Sequence, residues 1–184
     1  MLGSILLAQA ISLLFGHSAD QFSLAEGASF TAGIFPVWVM LFLAPLLEEL
    51  AWHSYGTDCL RRRMNLLTTS LLFAVFWALW HLPLGFIKGY YHSEVAASGL
   101  LYSLNFAFSI IPFVILMNWL YYRTNRNILV PIVFHITANL FNELFATHPD
   151  SKVIQTGILS VLAILLVIRD REFFLHRAYR EGAM

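Results

Sequence analysis

Charge is scarce in this chain. Only 12% of its 184 residues are Asp, Glu, Lys or Arg, about half the share carried by a soluble domain. The 11 basic and 11 acidic residues cancel, so no field of one sign points to nucleic acid or to an acidic partner. Cysteine is nearly absent: the lone Cys59 cannot close an internal disulfide, and redox compartment is not legible from it. No internal repeat or low-complexity tract is present. Met1 to Phe15 has neither the positive flank nor the small-residue cleavage site of a secretory leader, and is read as a helix. Apolar residues are abundant. They make up 59% of the chain, and mean hydropathy is +0.70. The expectation is one integral membrane domain over residues 1–184.

Apolar segments lie at roughly 2–16, 34–60, 66–86, 98–121, 128–147 and 153–168, most of them near the ~20 residues that a helix needs to cross a bilayer. They are too long for buried strands, and Pro36, Pro83 and Pro131 fall near segment ends. The fold class is therefore all-α, a polytopic transmembrane bundle of about six helices. Pro45 lies inside the second segment, where it removes one backbone hydrogen bond and predicts a kink. Arginines follow the second, fourth and sixth segments, placing nine of the 11 basic residues on one side, with Lys88 and Lys152 on the other. The positive-inside rule then puts both termini in the cytoplasm. The stretch Arg169–Met184 mixes arginines with Phe173, Phe174 and Tyr179, and is expected along that interface.

Against this background, adjacent carboxylates at Glu48 and Glu49 are conspicuous. A charge at the centre of a bilayer helix costs about 2.5–3.5 kcal/mol on insertion scales, so such a pair is a functional hypothesis by default. His81 interrupts a third apolar segment, and His135 and Asn139 a fifth. Counted from the flanking arginines at ~1.5 Å per residue, Glu48 and Asn139 each lie about 20 Å deep, with His135 one turn shallower and His81 somewhat deeper. Peptide hydrolysis needs an activated water, a proton donor for the leaving amine and donors for the oxyanion. Glu48 can serve as the base, His81 can hold the water or a metal, and Asn139 carries an amide N–H suited to an oxyanion. Glu48, His81 and His135 could instead hold a catalytic zinc, which takes three protein ligands and keeps an open position. The spacing alone leaves metal-bound water and glutamate-held water both open. Taken singly, each histidine is more simply an interhelical hydrogen-bonding group, and Glu49 could merely neutralise His53 four residues on. A haem or ion carrier using His81 and His135 would leave both glutamates unexplained. His17, His92, His148 and His176 lie in or near loops and receive no role.

Three strings carry a resemblance: EELAWH at 48–53, WALWH at 77–81 and HITAN at 135–139. In order and spacing they resemble the Glu-Glu-x-x-x-Arg, Phe-x-x-x-His and His-x-x-x-Asn motifs of the CPBP intramembrane proteases, the CAAX-protease and bacteriocin-processing family. The likeness covers about 40–145. It implies Glu48 as catalytic carboxylate with Glu49 beside it, His81 and His135 on the water or a metal such as zinc, and Asn139 next to them. The catalytic set so implied is Glu48, Glu49, His81, His135 and Asn139. His53 stands where the family has arginine, and Trp77 where it has phenylalanine.

The function expected is an intramembrane endopeptidase, metal- or glutamate-dependent. It would cut a hydrophobic or prenylated membrane-associated substrate in a prokaryotic cell membrane, in a cavity among the second, third and fifth helices. The cavity is expected to open toward the cytoplasm or laterally to lipid. The alternative is a catalytically weak relative acting as a scaffold or bacteriocin-immunity protein, motivated by His53 in the arginine position. Nucleic acid is not an expected partner.

Overall fold

The computed structural model describes residues 1–25, 31–32, 35–88 and 91–177, with backbone only at 31–32, 35–38 and 40. Helices account for nearly all of it. The first apolar segment forms α1 (Leu2–Leu13) and the second forms α2 (Val37–Ala51), which passes through a π-turn at Trp52–Thr57 into α3 (Asp58–Arg61). The others follow as α4 (Leu66–His81), α6 (Leu100–Arg123), α7 (Leu129–Leu144) and α8 (Pro149–Arg169), with short helices α5 (Tyr91–Ala97) and α9 (Arg171–Leu175) at chain corners. A two-residue antiparallel ladder, Thr31–Ala32 with Phe35–Pro36, precedes α2.

The boundaries have local causes. Asn65 caps α4 by accepting a hydrogen bond from the Thr68 N–H at 2.8 Å. Pro149 opens α8, where its missing N–H costs nothing, and Asp150 sits in the first turn. α4 with its 3₁₀ extension (Leu66–Phe86), α6 and α8 are long and apolar enough to cross a membrane. Their outward faces carry exposed Val75, Phe76, Leu104, Phe108, Leu165 and Ile168. In water such surface would drive association; against acyl chains it is the ordinary helix exterior.

α6 is the central post, packed against α4, α7 and α8, while α2 packs on α7 and α1 on α8. Two apolar clusters flank it. One joins Leu66, Ile115, Leu159 and Phe174, and the other Phe73, Trp77, Val114 and Met117. Polar contacts through Gln21 and Thr147 tie α1 to the start of α8. Gln9 donates to Thr147 Oγ1 and to the Gln21 carbonyl, both at 2.8 Å, and Ser151 donates to Gln21 Oε1 at 2.6 Å. Buried amides and hydroxyls of this kind tie helices together where apolar packing alone gives no advantage over lipid.

The C-terminal corner differs from a helix merely lying on the interface. Phe174 is fully buried in the first cluster. Asp170 accepts from Trp119 Nε1 at 2.8 Å and Arg123 Nε at 3.0 Å, clamping the α8–α9 turn onto α6. Tyr179, also expected at the interface, lies outside the described residues.

Candidate active site

Glu48 and Glu49 are consecutive, so the helix turns them to different surroundings. Glu49 points inward and is fully buried. Its Oε1 lies 2.7 Å from His135 Nδ1, and its Oε2 is in close contact with His53 Nδ1. His53 is fully buried as well. It lies in the π-turn, a wider turn that keeps the residues after Ala51 in a helical path while shifting their register. His53 Nε2 contacts Asn118 Oδ1 of α6 at 2.9 Å. The expected Glu49–His53 contact across one turn is present, and each partner is further held by another helix.

Glu48 borders a cavity of about 520 Å³ that is also lined by His81, His135 and Asn139. The four residues come from α2, α4 and α7, as expected, but α5, α6 and α8 also wall the space, through His92, Tyr102, Asn105 and Lys152 among others. Glu48 Oε2 accepts from the Trp77 indole N–H at 3.1 Å. His81 Nδ1 donates to the Trp77 carbonyl at 2.7 Å, since a carbonyl only accepts. His135 Nδ1 faces Glu49 Oε1 and donates to it when Glu49 is ionised. Both imidazoles are thus fixed through Nδ1, leaving Nε2 for other partners. The Trp77 ring stands between them, with its centroid 5.8 Å from that of His81 and 5.1 Å from that of His135.

Each helix contributes to this cavity the half remote from its arginines: Glu48 rather than Arg61, Trp77 and His81 rather than Arg63, Tyr102 to Phe113 rather than Arg123, and Lys152 rather than Arg169. The space therefore lies in the Lys152 half of the bundle. An opening on the arginine side does not agree with this lining.

Two residues outside the expected catalytic set border the site. Trp77, which stands where the family motif has phenylalanine, orients Glu48 through its N–H, which phenylalanine could not do. His92, assigned to a loop, stacks on His81 with ring centroids 5.0 Å apart. Burial, with His81 beside it, pulls the His92 imidazole down to about 4, so it is neutral at physiological pH. Asn118 carried no sequence signal.

A tetrahedral zinc with bonds of about 2.0–2.2 Å needs donor atoms roughly 3.5 Å apart. Among the described residues, the trio whose donor atoms all lie within 4.8 Å of one another is His17, His148 and Asp150, not Glu48, His81 and His135. The latter set, as placed, does not form a closed zinc site.

Comparison with known proteins agrees with the three motifs. Residues 30–141 match the Rce1-like family, described as type II CAAX prenyl endopeptidase. The chain is 38% identical over 173 residues to CAAX prenyl protease 2 of Methanococcus maripaludis; the match covers 94% of this chain and 64% of that relative. The chain thus spans somewhat under two thirds of the curated relative it matches. With the family match covering more than half of its residues, this apolar helical membrane protein belongs to the Rce1-like CAAX prenyl endopeptidase family.

Proposed function

We propose that this chain is an intramembrane endopeptidase that hydrolyses a peptide bond in a membrane-associated, prenyl-modified substrate, using water activated by Glu48. The observation that carries the reading is the single cavity bordered by Glu48, His81, His135 and Asn139, inside a bundle with apolar outer faces. The similarity to CAAX prenyl protease 2 of Methanococcus maripaludis supports the substrate class.

The chemistry follows from the anchored atoms. A water between Glu48 and His81 Nε2 gives one hydrogen bond to each. Glu48 takes its proton as the oxygen attacks the scissile carbonyl carbon, and the C=O π pair moves onto the carbonyl oxygen. The Asn139 side-chain N–H donates to that oxyanion. His135, when protonated at Nε2, adds a second donor, its imidazolium stabilised by the buried Glu49 carboxylate as the aspartate does in a Ser-His-Asp triad. Glu48 then passes its proton to the leaving nitrogen, the C–N bond breaks, and the new carboxyl group keeps the water oxygen. Trp77 keeps Glu48 aimed at the water.

The arginine clusters support an orientation with both termini in the cytoplasm. The cavity then lies in the far half of the bilayer, and substrate enters it laterally or from that face.

The test is incubation of the membrane-inserted chain with a peptide ending in a prenylated C-terminal motif, in H₂¹⁸O. Single-turnover cleavage that places ¹⁸O in the newly formed carboxyl group is expected. First-turnover product bearing only ¹⁶O would mean covalent attack by a carboxylate instead. No cleavage of prenylated or unmodified membrane peptides would favour the scaffold reading.

A further inference from the structure

Glu49 is a fully buried carboxylate, and among the described residues its ionic partners are two histidines, with no arginine or lysine. Something must therefore fix where the compensating charge sits. The hydrogen-bond order supplies it. Ser70 donates its one proton to the Leu66 carbonyl at 2.8 Å, so Ser70 Oγ is an acceptor toward everything else. The Asn118 atom facing it at 2.9 Å must then be the amide nitrogen, which turns Asn118 Oδ1 toward His53 Nε2. A carbonyl oxygen only accepts, so Nε2 carries a proton. On the opposite edge of the ring, Nδ1 faces Glu49 Oε2. The proton on that line belongs either to an imidazolium–carboxylate pair or to an imidazole–carboxylic acid pair. His135 Nδ1 also faces Glu49, at 2.7 Å, and two imidazole edges aimed at one buried carboxyl favour its ionised form.

We infer that Asn118 and Ser70 are positioning residues: they hold His53 as an imidazolium, which fixes Glu49 as the carboxylate that orients His135 at the cavity. The relay starts at a backbone carbonyl of α4, crosses α6, the π-turn and α2, and ends on α7. The groups facing His53 are Glu49 from α2, Phe73 from α4, and Asn118 and Tyr121 from α6, with the Tyr121 ring centroid 5.1 Å away. Of these only Glu49 and Tyr121 titrate. The consequence for catalysis rests on the endopeptidase reading; the charge state of His53 does not.

The experiment separates the two. The chain is labelled with ¹⁵N-histidine in nanodiscs, and the protonation of each ring nitrogen is read by ¹⁵N–¹H correlation at neutral pH. The wild type should show both nitrogens of His53 protonated. Asn118→Leu, which removes the acceptor at Nε2, should convert His53 to a neutral tautomer, and Asn118→Asp should restore the cation. Ser70→Ala is the milder variant should Asn118→Leu not fold; it releases the Asn118 amide and should lower the protonated fraction. In the peptide assay Asn118→Leu should reduce kcat about 10-fold or more, as for loss of one hydrogen bond to a charged group, with KM little changed and Asn118→Asp recovering the rate. A neutral His53 in the wild type would overturn the inference. So would an unchanged imidazolium in both Asn118→Leu and Ser70→Ala. If no variant cleaves peptide, including the wild type, the spectra still decide the relay while the endopeptidase reading fails by itself.

Discussion

Replacing Glu49 by glutamine changes one atom and reverses one hydrogen bond. The wild-type carboxylate offers acceptors to two N–H groups, His135 Nδ1 at 2.7 Å and His53 Nδ1. Glutamine offers one acceptor and one NH₂. Whichever way the amide turns, one histidine faces a donor where it needs an acceptor, in a spot with no access to solvent. In either orientation the neutral amide leaves the His53 charge without its counter-ion, and where the NH₂ faces His135 that ring must also move its proton to Nε2. Breaking a buried ion pair by removing one partner costs about 3–5 kcal/mol, or roughly 10²–10⁴ in rate at ~1.4 kcal/mol per decade if the loss falls on the transition state. The comparable aspartate-to-asparagine change in a Ser-His-Asp triad costs about 10⁴ in kcat. Glu49→Gln should therefore lower kcat for prenyl-peptide cleavage by about 10²–10⁴ while KM stays near wild type, because Glu49 does not border the cavity. Circular dichroism and size-exclusion behaviour in the same detergent serve as the folding control. A folded Glu49→Gln protein within about 3-fold of wild-type kcat would refute the claim that Glu49 organises His135 and His53.

Other outcomes follow from the same geometry. Asn139→Ala takes away the side chain proposed to bind the oxyanion and should slow kcat about 10²–10³-fold, a loss milder than that expected for Glu48→Gln. His53→Arg supplies a permanent cation in the same place and should retain or raise kcat in the same peptide assay, where a loss of cleavage in a folded protein would count against a cation at this position. At the C-terminal corner, hydrogen bonds from Arg123 and Trp119 hold the Asp170 carboxyl below its ordinary value of 3.8. A depressed folded value stabilises above the unfolded one and is lost as pH falls through the folded one, so hydrogen exchange at the Phe174 amide, corrected for intrinsic rate, should rise only below about pH 4. Cysteines placed at Ser98 and at Arg62 in a Cys59→Ala background should label from opposite faces of the membrane, with Ser98 on the cavity's side; labelling of both from one face would contradict the topology.

The helices were legible because membrane burial writes long apolar runs that arginines punctuate. The six expected segments reappear as α1, α2 with α3, α4, α6, α7 and α8. That Glu48, His81, His135 and Asn139 could border one cavity was readable by counting residues along each helix, since helix rise is nearly constant. Three features could not be read this way. α5 is seven residues long and mixes Glu94 and His92 with small residues, so it lacks the run that marks a span. The π-turn leaves no periodic signature, because its six residues, Trp52–Thr57, are too few to show a change of period. Asn118 sits in the interior of an apolar helix with no motif around it, and only the contact with His53, 65 residues away in sequence, gives it meaning. The half of the bundle that the cavity occupies likewise depends on how six elements converge, and residue counting along single helices does not contain that.

The central claim is that Glu48, at the wall of the cavity, is the base that activates water. The direct measurement is cleavage of a prenylated C-terminal peptide by wild type and by Glu48→Gln, side by side, in nanodiscs. Glutamine keeps the shape and can still accept the Trp77 indole hydrogen bond, but it cannot take a proton from water. The account predicts a folded, membrane-inserted variant with cleavage reduced to background. A folded Glu48→Gln protein that cleaves at the wild-type rate would contradict it.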